Sequence, residues 1–522
     1  MDNIKLILEL IIFLGLSFVF CKNALHMFQQ QHYEVYRYSK WLFNKNNIKF
    51  SVGLFYCALV IVISVLLSGK VQYWLIIILS LITAILFIYS EVKKEYVIAL
   101  SFTNRVKRQI VALTILEIII FYFAIKLLPI GITGVLSVVM PYLLIYPMSY
   151  MTMPIEEAIK KHYEDEARTK LSSFDNLIKV GVTGSFGKTT TKNVINDVIS
   201  QSFLTYITPS SYNTPMGITR SIREGLKPIH EVFVCEMGAD KVGDISYLMD
   251  FVKPNFGVVT SIGPQHLNTF LKMENIINEK MQEIEMLPSD GVGFINLDNE
   301  YIRKYKIKNK CKIVSVGINN TKADYVAKNV KYTKDGSTFT VKIKNKNYNF
   351  KTSLLGQHNI TNVLFGIAIA LQLGVEPKDV VKGVSNIEQV THRLQVKRIG
   401  GLTFIDDSFN ANPVGSKMSL DVLSMMSGKR VIVTPGMIDL GIKEDDYNKE
   451  FGKYMKGRAD YVILVGEKQT KFIRKGLEES GFNMDNVFVL KTVKQAFALI
   501  NNKFSNKDTI LLENDLPDAF NI

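Results

Sequence analysis

The sequence has little cysteine. Cys21, Cys57, Cys235 and Cys311 lie far apart, which excludes a disulfide framework and a zinc-ligand pattern and suits a reducing compartment for the soluble part. Acid is also in short supply. Aspartate and glutamate number 48 against 62 lysines and arginines, a formal charge of +14. Such an excess could serve nucleic acid, phosphorylated ligands or an anionic membrane. Basic loops on one side of a membrane account for it most simply, so no nucleic-acid partner is expected. The N-terminus lacks the marks of a signal peptide: little basic charge precedes its first apolar run, and no small-residue cleavage site follows.

Long hydrophobic runs are plentiful before residue 150. Five stretches, near 4–21, 50–69, 71–90, 109–128 and 130–150, approach the roughly 17–25 residues that a membrane-spanning helix needs. The first connection carries Lys22, Arg37, Lys40, Lys45 and Lys49, and the third carries Lys93, Lys94, Arg105, Lys107 and Arg108. The second and fourth carry little more than Lys70 and Lys126. Positive-inside reasoning then places the N-terminus outside and everything after Tyr150 in the cytoplasm. The expectation is a multi-pass cell-membrane protein, in contact with lipid, whose part after Tyr150 is cytoplasmic. The aromatic and basic stretch 26–43 is compatible with an interfacial helix or with a solvated loop. Glu117, in the fourth span, is either functional or paired to a neighbouring helix.

Past the apolar region, 154–171 reads as a connecting helix and 177–182 as a buried strand. That strand runs into Thr183-Gly184-Ser185-Phe186-Gly187-Lys188-Thr189-Thr190 and then a helical pattern. Strand, glycine-rich turn and helix form the context of a phosphate loop, whose backbone N–H groups and helix N-terminus receive phosphate oxygens. Gly184, Ser185, Gly187, Lys188, Thr189 and Thr190 are therefore candidate nucleotide-binding residues. Lys188 would meet the β and γ phosphates, and the Thr189 hydroxyl would reach Mg²⁺. The strict Walker spacing is broken, because Val182 stands where a glycine is expected.

The form present resembles the phosphate loop of Mur ligases, which build the peptide of bacterial cell-wall precursors. The resemblance continues in the family's order. Asn213-Thr214-Pro215-Met216-Gly217, Glu236-Met237-Gly238-Ala239 and Thr260-Ser261-Ile262-Gly263-Pro264-Gln265-His266-Leu267 are followed by Lys280. Then come Gly356-Gln357-His358-Asn359-Ile360-Thr361-Asn362, Arg393, Asp406-Asp407-Ser408-Phe409-Asn410-Ala411-Asn412-Pro413 and Pro435-Gly436-Met437-Ile438-Asp439-Leu440-Gly441. Within the family these motifs look most like those of the D-alanyl-D-alanine-adding member.

The resemblance implies an ATP-dependent carbon–nitrogen ligase (the acid–amino-acid class, EC 6.3.2) that activates a carboxylate as an acyl phosphate for attack by an amine. Catalysis would be positioning and charge neutralisation, with Lys188, His266, Lys280 and Arg393 as its catalytic residues. It implies two Mg²⁺ sites, one on Thr189 and Glu236, the other on His266 and a carbamylated Lys280. It assigns Asn359 and Asn362 to adenine, Arg393 to the γ-phosphate, Asp407 to ribose, and Asn410 to orienting ATP or acceptor. The fold expected is an α-helical membrane domain (1–150), a connecting helix (151–176), an α/β phosphate-loop central domain (177–393) and a Rossmann-like C-terminal domain (394–522). A hairpin extension around Asp335-Gly336 is expected within the central domain.

The chain departs from the family in two places. Membrane helices stand where the family has a soluble domain for the uridine nucleotide. Near the C-terminus, Leu512-Glu513-Asn514-Asp515-Leu516-Pro517-Asp518 puts acid where the D-alanyl-D-alanine-adding enzyme has a basic Lys-Gly-Ser-Arg. His392 also replaces a glycine before Arg393. The acceptor carboxylate is expected to be lipid-linked or membrane-associated, and the donor an amino acid or amine. A poly-amino-acid synthetase and a membrane protein with a regulatory nucleotide-binding domain are the alternatives.

Overall fold

The computed structural model describes residues 2–43, 52–94, 96, 99–333, 335–409, 411–438 and 440–515. They form two compact units, Met1–Lys161 and His162–Asp515.

The first unit is helical. Ile4–Gln30, Gly69–Val92 and Asn104–Leu127 are long and apolar enough to cross a membrane, and the bent pair Ile130–Leu143 and Ile145–Ser172 makes a fourth candidate. Val52–Leu66, the second span expected from the sequence, is an apolar helix of only 15 residues among those described. The fifth expected span is broken by a 41° bend. Pro147 explains the break: it has no N–H to donate, and its ring crowds the carbonyl four residues earlier. The chain then continues helically through Pro154 to Ser172, so the connecting helix starts well before residue 151. Lys22 lies inside the first helix rather than in a connection, and Lys45 and Lys49 fall outside the described residues. Within the 26–43 stretch, Val35–Leu42 is a helix. Its Tyr38 is fully buried and donates to the Tyr142 carbonyl. Glu117 is buried and accepts from Ser17 Oγ at 2.6 Å and Cys21 Sγ at 2.9 Å, both on the first helix.

The second unit holds two sheets. The larger contains β1 (Ile178–Thr183), β2 (Thr205–Ile207), β3 (Val232–Glu236), β4 (Phe256–Val259), β5 (Val292–Asn296), β6 (Lys312–Gly317), β7 (Tyr325–Thr333), β8 (Gly336–Ile343) and β9 (Lys346–Thr352). Their spatial order is β2-β3-β1-β4-β5-β6-β7-β8-β9. The pairs from β2 to β7 are parallel, and β7, β8 and β9 add the antiparallel extension around Gly336. The central strands are covered on both faces, so Val232–Glu236 and Val292–Asn296 are buried throughout. Helices Lys188–Ile199 and Gln357–Gln372 pack on one face, and Asp244–Val252 and Met273–Glu285 on the other.

The smaller sheet has β10 (Gln395–Ile399), β11 (Leu402–Asp407), β12 (Arg430–Thr434), β13 (Tyr461–Val465), β14 (Val487–Leu490) and β15 (Thr509–Glu513). The order is β10-β11-β15-β12-β13-β14, parallel except for the β10–β11 hairpin. Open sheets of this kind place ligands at the carboxyl ends of their strands. β1, β3, β11 and β15 all end at the cavity described next.

Candidate active site

At the end of β1 the backbone turns through Gly184 and Gly187, at φ +146° and +82°, into helix Lys188–Ile199. A Cβ on Gly184 would lie 2.1 Å from Thr260 Oγ1, and one on Gly187 would lie 2.9 Å from Asn362 Oδ1. Only glycine therefore fits this turn as built. Lys188 folds over the loop and donates to the Gly184 carbonyl at 2.7 Å. Burial and the nearby Arg393 lower its pKa, while Glu236 opposes that shift.

The loop borders a cavity of about 240 Å³ that draws on both sheets. Its walls include Ser185, Gly187, Lys188, Thr189 and Thr190, together with Glu236, His266, Asn359, Asn362, Arg393 and Asp407. Sequence motifs spread over more than two hundred residues thus meet in one place. Asn410 lies outside the described residues. Two expected site residues are not on the wall: Gly184 shapes the turn from below, and Lys280 lies one layer behind, with its amine 3.4 Å from the Ala239 carbonyl.

Thr189 Oγ1 donates to Glu236 Oε1 at 3.1 Å, as does Asn213 Nδ2 at the same distance. A hydroxyl and a carboxylate oxygen at the cavity edge are hard donors of the kind Mg²⁺ takes, so Thr189 and Glu236 would hold it. This corner fits the ion. Among the described residues no three His, Cys, Asp or Glu side chains converge as a ready-made cage. His266 sits at φ +50° and brings Nε2 within 3.3 Å of Asp240 Oδ1.

Asn362 donates to Asn359 Oδ1 and accepts from Thr191 Oγ1, each at 3.0 Å, and Asn359 donates to the Leu355 carbonyl at 2.8 Å. The two amides are thus interlocked, and the chain of bonds fixes their edges. Arg393 stacks 4.2 Å above the Phe409 ring. Asp407 accepts from the Leu394 backbone and from Ser419 Oγ at 2.5 Å. Asp406 is turned away from the cavity and binds Lys397 and His392 at 2.7 and 2.8 Å. His392 is left-handed, at φ +59°, a conformation that glycine adopts without strain; the contact of its Nδ1 with Asp406 helps to hold it there.

Sequence reasoning missed Lys192. It is fully buried and donates to Glu236 Oε2 at 3.2 Å and to the Thr208 and Ser210 carbonyls. Its position four residues after Lys188, on the same helix face, was the available signal. Asp240 and Glu513, both on the cavity wall, were also given no individual role. His358, quoted only within its motif, lines the cavity too, and burial pushes it down to about 4, so its ring is neutral.

Residues 182–370 match the Mur ligase middle domain, and 392–513 match the Mur ligase glutamate ligase domain. The chain belongs to the Mur ligase family. Mur ligases are acid–amino-acid ligases that use ATP and Mg²⁺, and both of their catalytic domains are present here. The chain is 29% identical over 367 residues to the UDP-N-acetylmuramoyl-tripeptide–D-alanyl-D-alanine ligase of Bacillus subtilis, covering 69% of this chain and 76% of that one. It is 27% identical to the Escherichia coli enzyme of the same name, covering 55% and 64%. In fold it is similar to the MurF ligase of Thermotoga maritima solved with ADP, at TM-score 0.62 and 23% identity, over 68% of this chain and 80% of that one. MurF of Acinetobacter baumannii gives 0.61, also at 23%, over 68% and 77%. The helices before residue 182 lie outside both family matches.

Proposed function

We propose that this Mur ligase joins a carboxylate on a membrane-associated cell-envelope precursor to an amino compound, through an acyl phosphate. The observation that carries the reading is the shared cavity. The phosphate loop and Glu236 come from one sheet, Arg393 and Asp407 from beside the other, and all face the same space. Lys188 and Arg393 supply the positive charge that a transferring phosphoryl group requires. Thr189 and Glu236 would hold Mg²⁺, which neutralises phosphate charge when bound. The interlocked Asn359 and Asn362 form the adenine wall, and Asp407 faces the ribose.

Lys280 is the proposed carbamate. Burial and the Lys188 charge push its amine down to about 7, so a large fraction is unprotonated at neutral pH. Only the free amine adds CO₂, and the product is an anionic oxygen donor. With His266 it would complete a second Mg²⁺ site.

The first unit is proposed to be the membrane anchor. Its helices expose Ile4, Ile7, Ile11, Trp74, Ile85 and Ile119, among others, an apolar surface that water does not favour and lipid does. Basic loops set the catalytic unit in the cytoplasm, where ATP is. A lipid-borne acceptor follows from that anchoring.

Lys188→Ala tests the reading. Purified protein given ATP, membrane extract and candidate amines should release ADP, and the variant should lose about 10²–10³-fold of that rate. Wild-type turnover in the variant overturns the assignment. A reporter fused at the N-terminus should be accessible outside the cell and one after residue 161 only inside; the reverse pattern overturns the topology.

A further inference from the structure

The helical unit holds one arginine in a fixed pose without a carboxylate of its own. Arg105 lies in the first turn of Asn104–Leu127, and its guanidinium stacks 4.0 Å above the Tyr33 ring. Tyr33 is fixed in turn: its hydroxyl accepts from Gln29 Nε2 at 2.8 Å, and Phe28 packs edge-on against its ring. The same Gln29 amide donates to and accepts from the Ser101 backbone, at 2.9 Å each. That ties the chain just before Arg105 to the end of the first helix. His32 and Tyr33 take left-handed backbone, at φ +56° and +61°, a conformation that costs residues other than glycine.

Glu156 is the carboxylate that acts on Arg105, but Arg108 takes both its oxygens, at 2.7 and 2.9 Å. Arg105 Nε is buried with no hydrogen-bond partner among the described residues. Gln109, one turn further along the same helix face, is 1% exposed, and its Oε1 also has none. Buried polar atoms without partners are costly unless a ligand completes them.

We propose that Arg105 and Gln109 form a site for the phosphate ester of a membrane lipid. The inference rests on the membrane-anchor and ligase reading above, in which the acceptor is lipid-borne. Arg105 begins a candidate span, so it stands near the depth of lipid phosphates, on the side that the basic connections assign to the cytoplasm. A planar guanidinium held against a ring offers its N–H edge to phosphate oxygens. A hydroxyl of the phosphate, or of the group attached to it, meets the Gln109 carbonyl. The Arg108–Glu156 pair contributes no net charge, so Arg105 supplies the local attraction. Lys107 is exposed on the same helix and adds only a screened charge.

The test uses full-length protein in maltoside detergent, with Mg·ADP in excess to occupy the phosphate loop. It is titrated calorimetrically with farnesyl phosphate, with dioctanoyl phosphatidylglycerol and with inorganic phosphate. A lipid phosphate should bind, and inorganic phosphate should bind at least about tenfold more weakly. Tighter binding of farnesyl phosphate supports the site and names the acceptor's carrier as its source; tighter binding of phosphatidylglycerol supports it with the surrounding bilayer as the source. Arg105→Gln should weaken the bound lipid about tenfold or more, the loss expected for charge-assisted hydrogen bonds. Arg105→Lys, which keeps the charge but not the fork, should weaken it too, and Lys107→Gln should not. Equal binding in wild type and Arg105→Gln overturns the site, as does an equal loss in Lys107→Gln or inorganic phosphate binding as tightly as the lipids. Should the Arg105 variants misfold, photolabelling of wild type with a diazirine-bearing farnesyl phosphate decides: label on peptides holding residues 29–33 or 101–109 supports the site, and label elsewhere overturns it. Failure of Mg·ADP itself to bind would instead overturn the ligase reading.

Discussion

Two helices flanking the large sheet each bury a lysine amine, with opposite consequences. Lys192 and Lys280 are 0% and 2% exposed, so desolvation opposes the charge on both. Lys192 faces the Glu236 carboxylate and two backbone carbonyls, and that carboxylate works against the downward shift. Among the described residues Lys280 makes one long contact to a carbonyl, and the charge on Lys188 pushes its amine further toward neutrality, against the weaker pull of Asp240, Glu279 and Asp244. Acceptors, not burial, separate a counter-ion from a reactive amine. Lys192 holds Glu236 in place beneath the phosphate loop; Lys280 is the amine proposed above to add CO₂.

The largest effect that breaks the symmetry is on Lys192. Lys192→Met leaves Glu236 buried with its charge uncompensated, and breaking such a pair costs about 3–5 kcal/mol. Thermal denaturation should show a large fall in midpoint together with loss of ADP formation. Lys280→Met should not fall comparably, since removing a poorly satisfied buried amine relieves desolvation. Equal destabilisation by the two substitutions would contradict the distinction.

Activity sharpens the comparison from the other side. Lys280→Ala should keep its fold and lose at least tenfold in rate, and a short carboxylic acid in solution should restore part of it by supplying the absent anionic oxygen. His266→Ala should not be rescued this way. In wild type, stripping CO₂ should lower activity, and bicarbonate should restore it faster at pH 8 than at pH 6. The same group gives a stability slope. Its folded pKa of about 7 lies below the ordinary 10.5, so between those values the unfolded chain binds a proton that the folded chain does not. Wild-type stability therefore gains from this group as pH rises through that window, and the gain should vanish in Lys280→Met. A fully active Lys280→Ala enzyme would falsify the carbamate role.

Much of the cavity was legible in the sequence because its motifs sit at strand ends and helix starts, where local pattern and function coincide. The sequence reads as a strand over 232–235 running into Glu236, and in the structure Glu236 is the last residue of that strand. The short apolar runs 430–434, 461–466 and 509–513, set between helical patterns, likewise read as strands and form β12, β13 and β15. What was hidden depends on partners distant in the chain. Nothing local shows that Asn362 locks onto Thr191 across 171 residues, or that Glu513 lies beside Asp407. The helical unit was read too simply, because hydropathy registers apolar length and misses the break that Pro147 introduces. Asp406 and Asp407 are adjacent and chemically alike, yet strand alternation turns one to a salt bridge and the other to the cavity.

The smallest effect concerns Glu283, one turn after Lys280 on helix Met273–Glu285. Neither of its carboxyl oxygens has a hydrogen-bond partner among the described residues, and burial pushes it up to about 8 despite the pull of Lys280. Its slope opposes that of Lys280. Between the ordinary 4.5 and about 8 the folded chain keeps a proton that the unfolded chain has released, so stability falls as pH rises through that window. Glu283→Gln removes the slope but leaves an amide with one more unpartnered donor hydrogen than the protonated acid, at a cost of about 1–3 kcal/mol. The two effects nearly cancel near neutrality. The variant should therefore be less stable than wild type at pH 5 and more stable at pH 8, with little change in between. Urea denaturation at the three pH values measures this crossover, and parallel curves for the two proteins would show that Glu283 keeps its charge and that Lys280 has a buried counter-ion after all.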